Sequence, residues 1–353
     1  MSCCAPLFPF IKANVGADEK QFGFLLLSLG LGSIIAMPVT GIIAARRGAR
    51  PMIVLGGFGL VVFLPILAIA ATPLALGAAL FAFGASLGSI DVAMNVHGAM
   101  IERHEQRPLM SNFHAQFSIG GLFGAGFIAL LLSFGVSVTF SALIGTAVAM
   151  GAMLLAHPNL LSAHSREPEP FAFPRGIVLL LATLAAIAFL VEGAVLDWGA
   201  LLIIDRQLVA AQNAGIGYIL FSLAMVIARL MGDRIVAILG EFRVMVFGSA
   251  AVILGVAVVL VSTFPAVALP GFVLIGLGAA NIVPIVFSAA GRQKIMPAGL
   301  AVASVTTTGY AGVLIGPVLV GLVADATSLP MAFWLLALLM TIVALTARFV
   351  VRA

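Results

Sequence analysis

Asp91 and Asn95 sit one helical turn apart in the stretch SLGSIDVAMNVHGAM (86–100), whose surroundings are almost wholly apolar. A carboxylate held in hydrocarbon costs about 2.5–3.5 kcal/mol on insertion scales, so it faces a cavity or a partner and reads by default as functional. Asp91 can load and release a proton, and Asn95 on the same face can hydrogen-bond a polar solute. The structural alternative is an acid that stays protonated and bonds to a neighbouring helix. Glu192 is a second acid at mid-span and reads as another protonatable or substrate-binding group. Asp197 follows five residues later, about 140° around a helix from it, and with Trp198 reads as an interfacial anchor. His114 opens another apolar run and is either a proton sensor or a capping residue, whereas His97 reads as packing. Asn281 is followed by Pro284, which frees a backbone carbonyl inside a span and suits a hinge or a binding site.

These residues need elements that can carry them through a bilayer. The chain has 353 residues, 63% hydrophobic and 8% charged, with mean hydropathy +1.24, against about a quarter charged for a soluble chain. Runs long enough to cross the roughly 30 Å hydrocarbon core recur at 22–45, 52–72, 75–99, 113–133, 136–156, 177–203, 214–236, 244–263, 266–289, 299–324 and 329–350. Alternate loops divide the basic residues thirteen to three, with Arg229 left inside a span, so the positive-inside rule places the C-terminus in the cytoplasm. Eleven spans ending inside begin outside, and the apolar, proline-punctuated residues 1–12 read as the remnant of an earlier, truncated first span. The expected organisation is therefore an N-terminal helix bundle at 1–156, a proline-bearing cytoplasmic linker at 157–176 and a C-terminal bundle at 177–353.

The two halves repeat. FGFLLLSLG (22–30) aligns with IGYILFSLA (216–224), and at an offset of 192 Gly48, Gly56, Gly84, Gly120 and Gly124 fall on Gly240, Gly248, Gly276, Gly312 and Gly316. Such a duplicated six-span unit is one of the known transporter architectures. The glycine runs at 118–126 and 309–321 are spaced for close helix packing.

On these features the chain resembles the major facilitator superfamily (MFS). GIIAARRGARP is similar to that family's loop signature G-x-x-x-D-R-x-G-R-[RK], matching at Gly41, Arg46 and Gly48, with Arg50 one place late. The signature acid is Ala45 here, so the charge relay the signature implies lacks its acid in this half. Arg229, Gly232, Asp233, Arg234 and Gly240 form a looser counterpart. The segments at 91–125 and 192–200 most resemble YbjJ-type bacterial inner-membrane proteins, related to sugar/proton symporters. The resemblance implies an all-α fold of two six-helix bundles, a multi-pass inner-membrane location, a monomer in the lipid bilayer, and cytoplasmic gate loops at Gly41, Arg46, Gly48, Arg50, Arg229, Gly232, Asp233 and Arg234.

Other classes lack their parts. GASLG (84–88) satisfies G-x-S-x-G, but mid-helix and without a strand-to-helix turn. No H-E-x-x-H and no Walker A loop occurs, so neither metalloprotease chemistry nor ATP-driven pumping has its machinery, and no cofactor or metal is expected. The scattered bases lack the clustered face that nucleic acid requires, and vicinal Cys3 and Cys4 build no disulfide framework. The expectation is a non-enzymatic, proton-coupled secondary transporter of a small polar organic solute, a sugar or related metabolite, with Asp91, Asn95, Glu192, Asn281 and His114 as substrate- or proton-binding residues. The alternatives are an exporter of amphipathic compounds, a membrane scaffold and, most remotely, an intramembrane serine protease.

Overall fold

The structure, a computed structural model, describes residues 2–161, 174–210 and 215–353, and these are helical throughout, without strands. A 3-10 segment (Ser2–Leu7) leads into α1 (Phe8–Asn14), followed by α2 (Glu19–Arg47), α3 (Arg50–Ile69), α4 (Pro73–Glu105), α5 (Met110–Ser133) and α6 (Val138–Ala156). Then come α7 (Ile177–Asp205), α8 (Ile216–Leu239), α9 (Glu241–Val261), α10 (Pro265–Ala268), α11 (Pro270–Ala279), α12 (Ile282–Arg292), α13 (Ala298–Ala326) and α14 (Leu329–Val351). Among the described residues ten helical stretches are long and apolar enough to cross a membrane, and α10 to α12 count there as one, Pro265–Arg292. The 24-residue α8, with Arg229, Asp233 and Arg234, is not among the ten.

Two compact units emerge: Met1–His97 with Gln116–Ala172, and Gly98–Ala115 with Phe173–Ala353. The expected linker at 157–176 falls mostly on 162–173, outside the described residues. In the first unit the N-terminal segment is part of the core, with Cys4, Leu7 and Ile11 buried in one cluster with Leu64, Leu67, Leu76 and Leu80. Asp18 caps α2 reciprocally: its carboxylate accepts from the Gln21 amide at 2.7 Å, and its own amide donates to Gln21 Oε1 at 3.4 Å.

The internal repeat is visible in backbone detail. α2 and α8 each end on a glycine with positive φ, Gly48 (81°) and Gly240 (78°), whose amides close on the Ala44 and Val236 carbonyls. That backbone conformation suits glycine, which has no Cβ to clash. A Cβ on Gly84 would run into the Leu29 carbonyl oxygen, and one on Gly276 into that of Phe221. Leu29 and Phe221 are themselves 192 apart, so helix contact and glycine keep one register in both units.

Helix packing in the second unit runs on small residues, as it must where lipid offers no hydrophobic drive. In α9, Gly248 and Gly255 meet Gly278 and Gly271 of α11, each pair of glycines two turns apart. A Cβ on Gly255 would lie 2.5 Å from the Gly271 carbonyl oxygen, and one on Gly271 2.6 Å from that of Gly255. The run at 309–321 packs as expected: Gly309 lies on Phe189, and a Cβ on Gly312 would come within 2.6 Å of the Ala186 carbonyl oxygen of α7. The run at 118–126 behaves differently, for Gly120 and Gly126 have nothing within 4 Å of a built Cβ. The packing expectation is corrected at Gly120 and Gly126, because glycine spacing marks a smooth helix face but not what covers it.

Overpacking a close-fitted interface costs about 1–3 kcal/mol. Gly271→Ala and Gly312→Ala are expected to lower the thermal unfolding midpoint of the detergent-solubilised protein, whereas Gly120→Ala leaves it unchanged or raises it. Equal effects at all three positions would remove the close-packing argument.

Candidate functional site

Three polar clusters form inside the apolar helices, one in the first unit and two in the second. In the first unit Asp91 lies on α4 with only 7% of its surface exposed. Among the described residues its carboxylate takes part in no hydrogen bond and no ion pair. Neither carboxylate oxygen is fully sealed from open space. Asn95 does not reach forward to it: its amide nitrogen donates back to the Asp91 main-chain carbonyl at 2.9 Å. That bond ties up one donor of Asn95 within its own helix. His97 is a packing residue, accepting at Nε2 from the Leu161 amide at 3.0 Å.

The second cluster joins α7, α8 and the α11–α12 junction. Arg229, grouped by its sequence with the gate loops, lies inside α8 and is 6% exposed. Its Nη2 meets Glu192 Oε1 of α7 at 3.0 Å. A buried guanidinium must be paired and hydrogen-bonded, and Nε donates in addition to the Ala280 carbonyl at 3.2 Å. Asn281, 5% exposed, donates from Nδ2 to the Ala228 carbonyl at 3.4 Å, while its Oδ1 is buried without a hydrogen-bond partner. Gly232 makes room for this side chain, because a Cβ there would overlap Asn281 Oδ1 and approach Ser111 Cβ to 2.6 Å. His114 stacks obliquely on Phe287 of α12, ring centroids 5.6 Å apart. Asp197 lies exposed near the end of α7, beside Trp198, which packs on Gly321.

A third cluster holds the start of α5. Helix starts leave amide groups without intrahelical partners, and four of them are taken by two carboxylates. Glu102, in the last turns of α4, accepts from the Leu109 and Met110 amides, both at 2.9 Å. Asp233 of α8 accepts from Ser111 at 2.9 Å and from Asn112 at 3.0 Å, with the Asn112 side-chain amide adding a bond at 2.8 Å. Arg292, at the end of α12, then bridges Glu102 at 3.9 Å and Glu241 at 2.8 Å. Arg103 closes the group by donating to the Gly291 carbonyl at 3.3 Å. Sequence reasoning misses Glu102, Glu241 and Arg292. The available signal is an acid eight residues before the helix start, the first Glu of ERHEQRPLM, on the far side of Pro108.

The remaining loop residues lie in the first unit: Arg46 and Arg47 stand at the end of α2, and Arg50 Nη2 is 3.4 Å from His157 Nε2. A recess of about 370 Å³ between α3 and α4 is lined mainly by apolar groups such as Leu55, Phe58 and Val62, and by none of the expected site residues. Among the described residues no cluster of three or more His, Cys, Asp or Glu could hold a metal ion.

The sequence model of the Major Facilitator Superfamily matches residues 1–294. An uncharacterized MFS-type transporter of Yersinia pestis is 44% identical over all of this chain and 92% of its own length. The uncharacterized transporter y4wD of Sinorhizobium fredii is 34% identical, covering 96% of this chain and 91% of its own. Among solved structures, the human organic anion transporter MFSD10 superposes with a TM-score of 0.76 at 17% identity, over 98% of this chain and 88% of that one. The Escherichia coli fucose:proton symporter FucP does so with a TM-score of 0.74 at 17% identity, over 99% and 95%. With its helices, its repeat and these matches, the chain belongs to the Major Facilitator Superfamily, as a multi-pass membrane transporter and not an enzyme.

Proposed function

We propose that this protein moves a small polar organic solute, a sugar or related metabolite, by alternating access in exchange for or together with protons. The observation that carries the reading is Asp91. An acid kept in the middle of a membrane helix, without a cation or a donor, has no structural bond to explain it, whereas a carrier must be free to take up a proton and give it back. Glu192, Arg229 and Asn281 supply the complementary chemistry, an anion, a cation and an unmet acceptor within one buried cluster, suited to hydroxyl and carboxyl groups of a solute. His114 adjoins this cluster. The family setting supports the class of activity, and FucP, a fucose:proton symporter by its name, supports the sugar as first candidate. The reading includes a monomer in the inner membrane with its C-terminus in the cytoplasm.

Gating belongs to the ends of the helices. The Glu102 and Asp233 carboxylates hold the start of α5 to α4 and α8, and Arg292 ties the same corner to α9, so the corner is closed by charge-assisted bonds that can exchange with water. In this reading the cytoplasmic gate residues are, in the first unit, Gly41, Arg46, Gly48 and Arg50 around the end of α2 and the start of α3 and, in the second, Gly232, Asp233 and Arg234 toward the end of α8.

Asp91→Asn removes the titrating group and keeps the shape. It is expected to abolish proton-driven solute accumulation in vesicles while the protein inserts and folds normally; undiminished accumulation that ignores the imposed pH gradient would exclude Asp91 as carrier. Asp233→Ala leaves two α5 amides unmet and is expected to cost about 1–3 kcal/mol. Its unfolding midpoint should fall below that of Asp233→Asn, which keeps one oxygen acceptor. Identical midpoints for both variants and the parent would show that Asp233 does not cap α5.

A further inference from the structure

The most buried of the candidate spans, Pro265–Arg292, is broken in its middle. α11 ends at Ala279 and α12 begins at Ile282, with Ala280 and Asn281 in a turn between them. In a continuous helix the Ala280 carbonyl would accept the amide of residue 284, but residue 284 is proline and has none. The next carbonyl is served in the ordinary way, Ile285 donating to Asn281 at 3.2 Å. Ala280 is served from outside the helix, by Arg229 Nε at 3.2 Å. A second bond laces the same two segments in the opposite sense, from Asn281 Nδ2 to the Ala228 carbonyl. The cross-helix donor is thus the same arginine that meets Glu192.

We infer that Pro284 is a positioning residue for the Glu192–Arg229 pair: by withholding its amide it leaves the Ala280 carbonyl to hold Arg229 Nε and so aims the guanidinium at α7. The inference rests on the transport reading of Glu192. A guanidinium is a rigid planar fork, so a bond at Nε fixes the plane in which its Nη atoms point. Residues 229 and 280 are both buried, and water is not at hand to satisfy either group in place of the other. Pro284 is the third residue of α12, in a first turn where the missing amide breaks no bond of α12 itself, so what it leaves open is the Ala280 carbonyl ahead of the turn. The arrangement also defines what can replace the Glu192 carboxylate when cargo arrives. The guanidinium stays anchored to the helix break and still presents Nη2, so the displacing group must be an oxygen acceptor, a carboxylate or a hydroxyl.

The test is a double-mutant cycle on the purified full chain, with thermal unfolding as readout. Glu192→Gln, Arg229→Gln and the pair are compared with and without Pro284→Ala, which returns an amide donor to the Ala280 carbonyl. The non-additivity between positions 192 and 229 is expected to fall to less than half when Pro284→Ala is present. Pro284→Ser restores the same amide and gives a second measurement of the cycle, and Pro317→Ala in α13 serves as a control that leaves the coupling unchanged. Arg229→Lys separates positioning from general support, since lysine has no Nε–H held in a plane with a second donor. It should lose the coupling in the parent, yet differ little from arginine once Pro284→Ala is introduced. Coupling that survives Pro284→Ala and Pro284→Ser undiminished overturns the inference whatever the transport assays give. Normal transport by Glu192→Gln would instead remove Glu192 from the transport path, while a coupling lost with Pro284→Ala would still establish that Pro284 positions the pair.

Discussion

A bilayer supplies no hydrogen bonds, so each polar group placed among these helices must be met by protein or opened to water. The placement of the charged residues follows from that constraint. Among the acceptors that admit Arg229 to the interior of α8 are a carboxylate from α7 and a carbonyl from the α11–α12 turn. Asp233, one turn further along α8, is admitted by amides at the start of α5. In both cases the acceptor or donor exists because a helix is interrupted: proline and a turn free a carbonyl in one, a helix start exposes amides in the other. Interrupted helices and buried charges therefore occur together, each making the other tolerable.

The same solvent sets how helices pack. Leucine gains nothing by leaving lipid for protein, so contact has to come from backbone approach, and small residues decide where it is possible. The paired glycines of α9 and α11, the glycines of α13 against α7, and Gly84 and Gly276 at equal register in the two halves all follow this rule. The Gly48 and Gly240 caps extend it to the helix ends. The repeat at an offset of 192 is thus visible where backbones touch or turn, and the polar residues do not follow it. At this offset Asp233 falls on Gly41 and Glu102 on Lys294, so neither acid that holds the start of α5 is repeated.

Much of this is legible in the sequence and some is not, for physical reasons. The spans, the repeat and the isolation of Asp91 follow from local composition, which one chain displays directly. Pairing does not. Arg229 and Glu192 are 37 residues apart and on different helices, and only packing shows that the arginine reaches the acid instead of a loop. Glu102 reads from sequence as one more charge in a polar loop, and its two amide partners give it a place. Sequence alone puts Asn95 toward a solute with Asp91; that one of its amide hydrogens bonds its own helix, leaving the other and Oδ1, is seen only in the fold. Glycine spacing is ambiguous in the same way: Gly312 is covered and Gly120 is not, although the two occupy matched places in the repeat.

The two mid-span acids, one buried and one partly so, also divide the work that a coupled carrier has to do. Glu192 is matched by a cation, so its charge is already answered and its exchangeable feature is the partner it holds. Asp91 is matched by nothing among the described residues, so its exchangeable feature is the charge itself. On the transport reading these are different roles: a group with a fixed cation beside it can trade its bond with a solute oxygen, and a group with none can trade a proton with water. A cycle in which one site binds cargo and the other carries the proton requires that the two not be interchangeable, and their unequal surroundings meet that requirement.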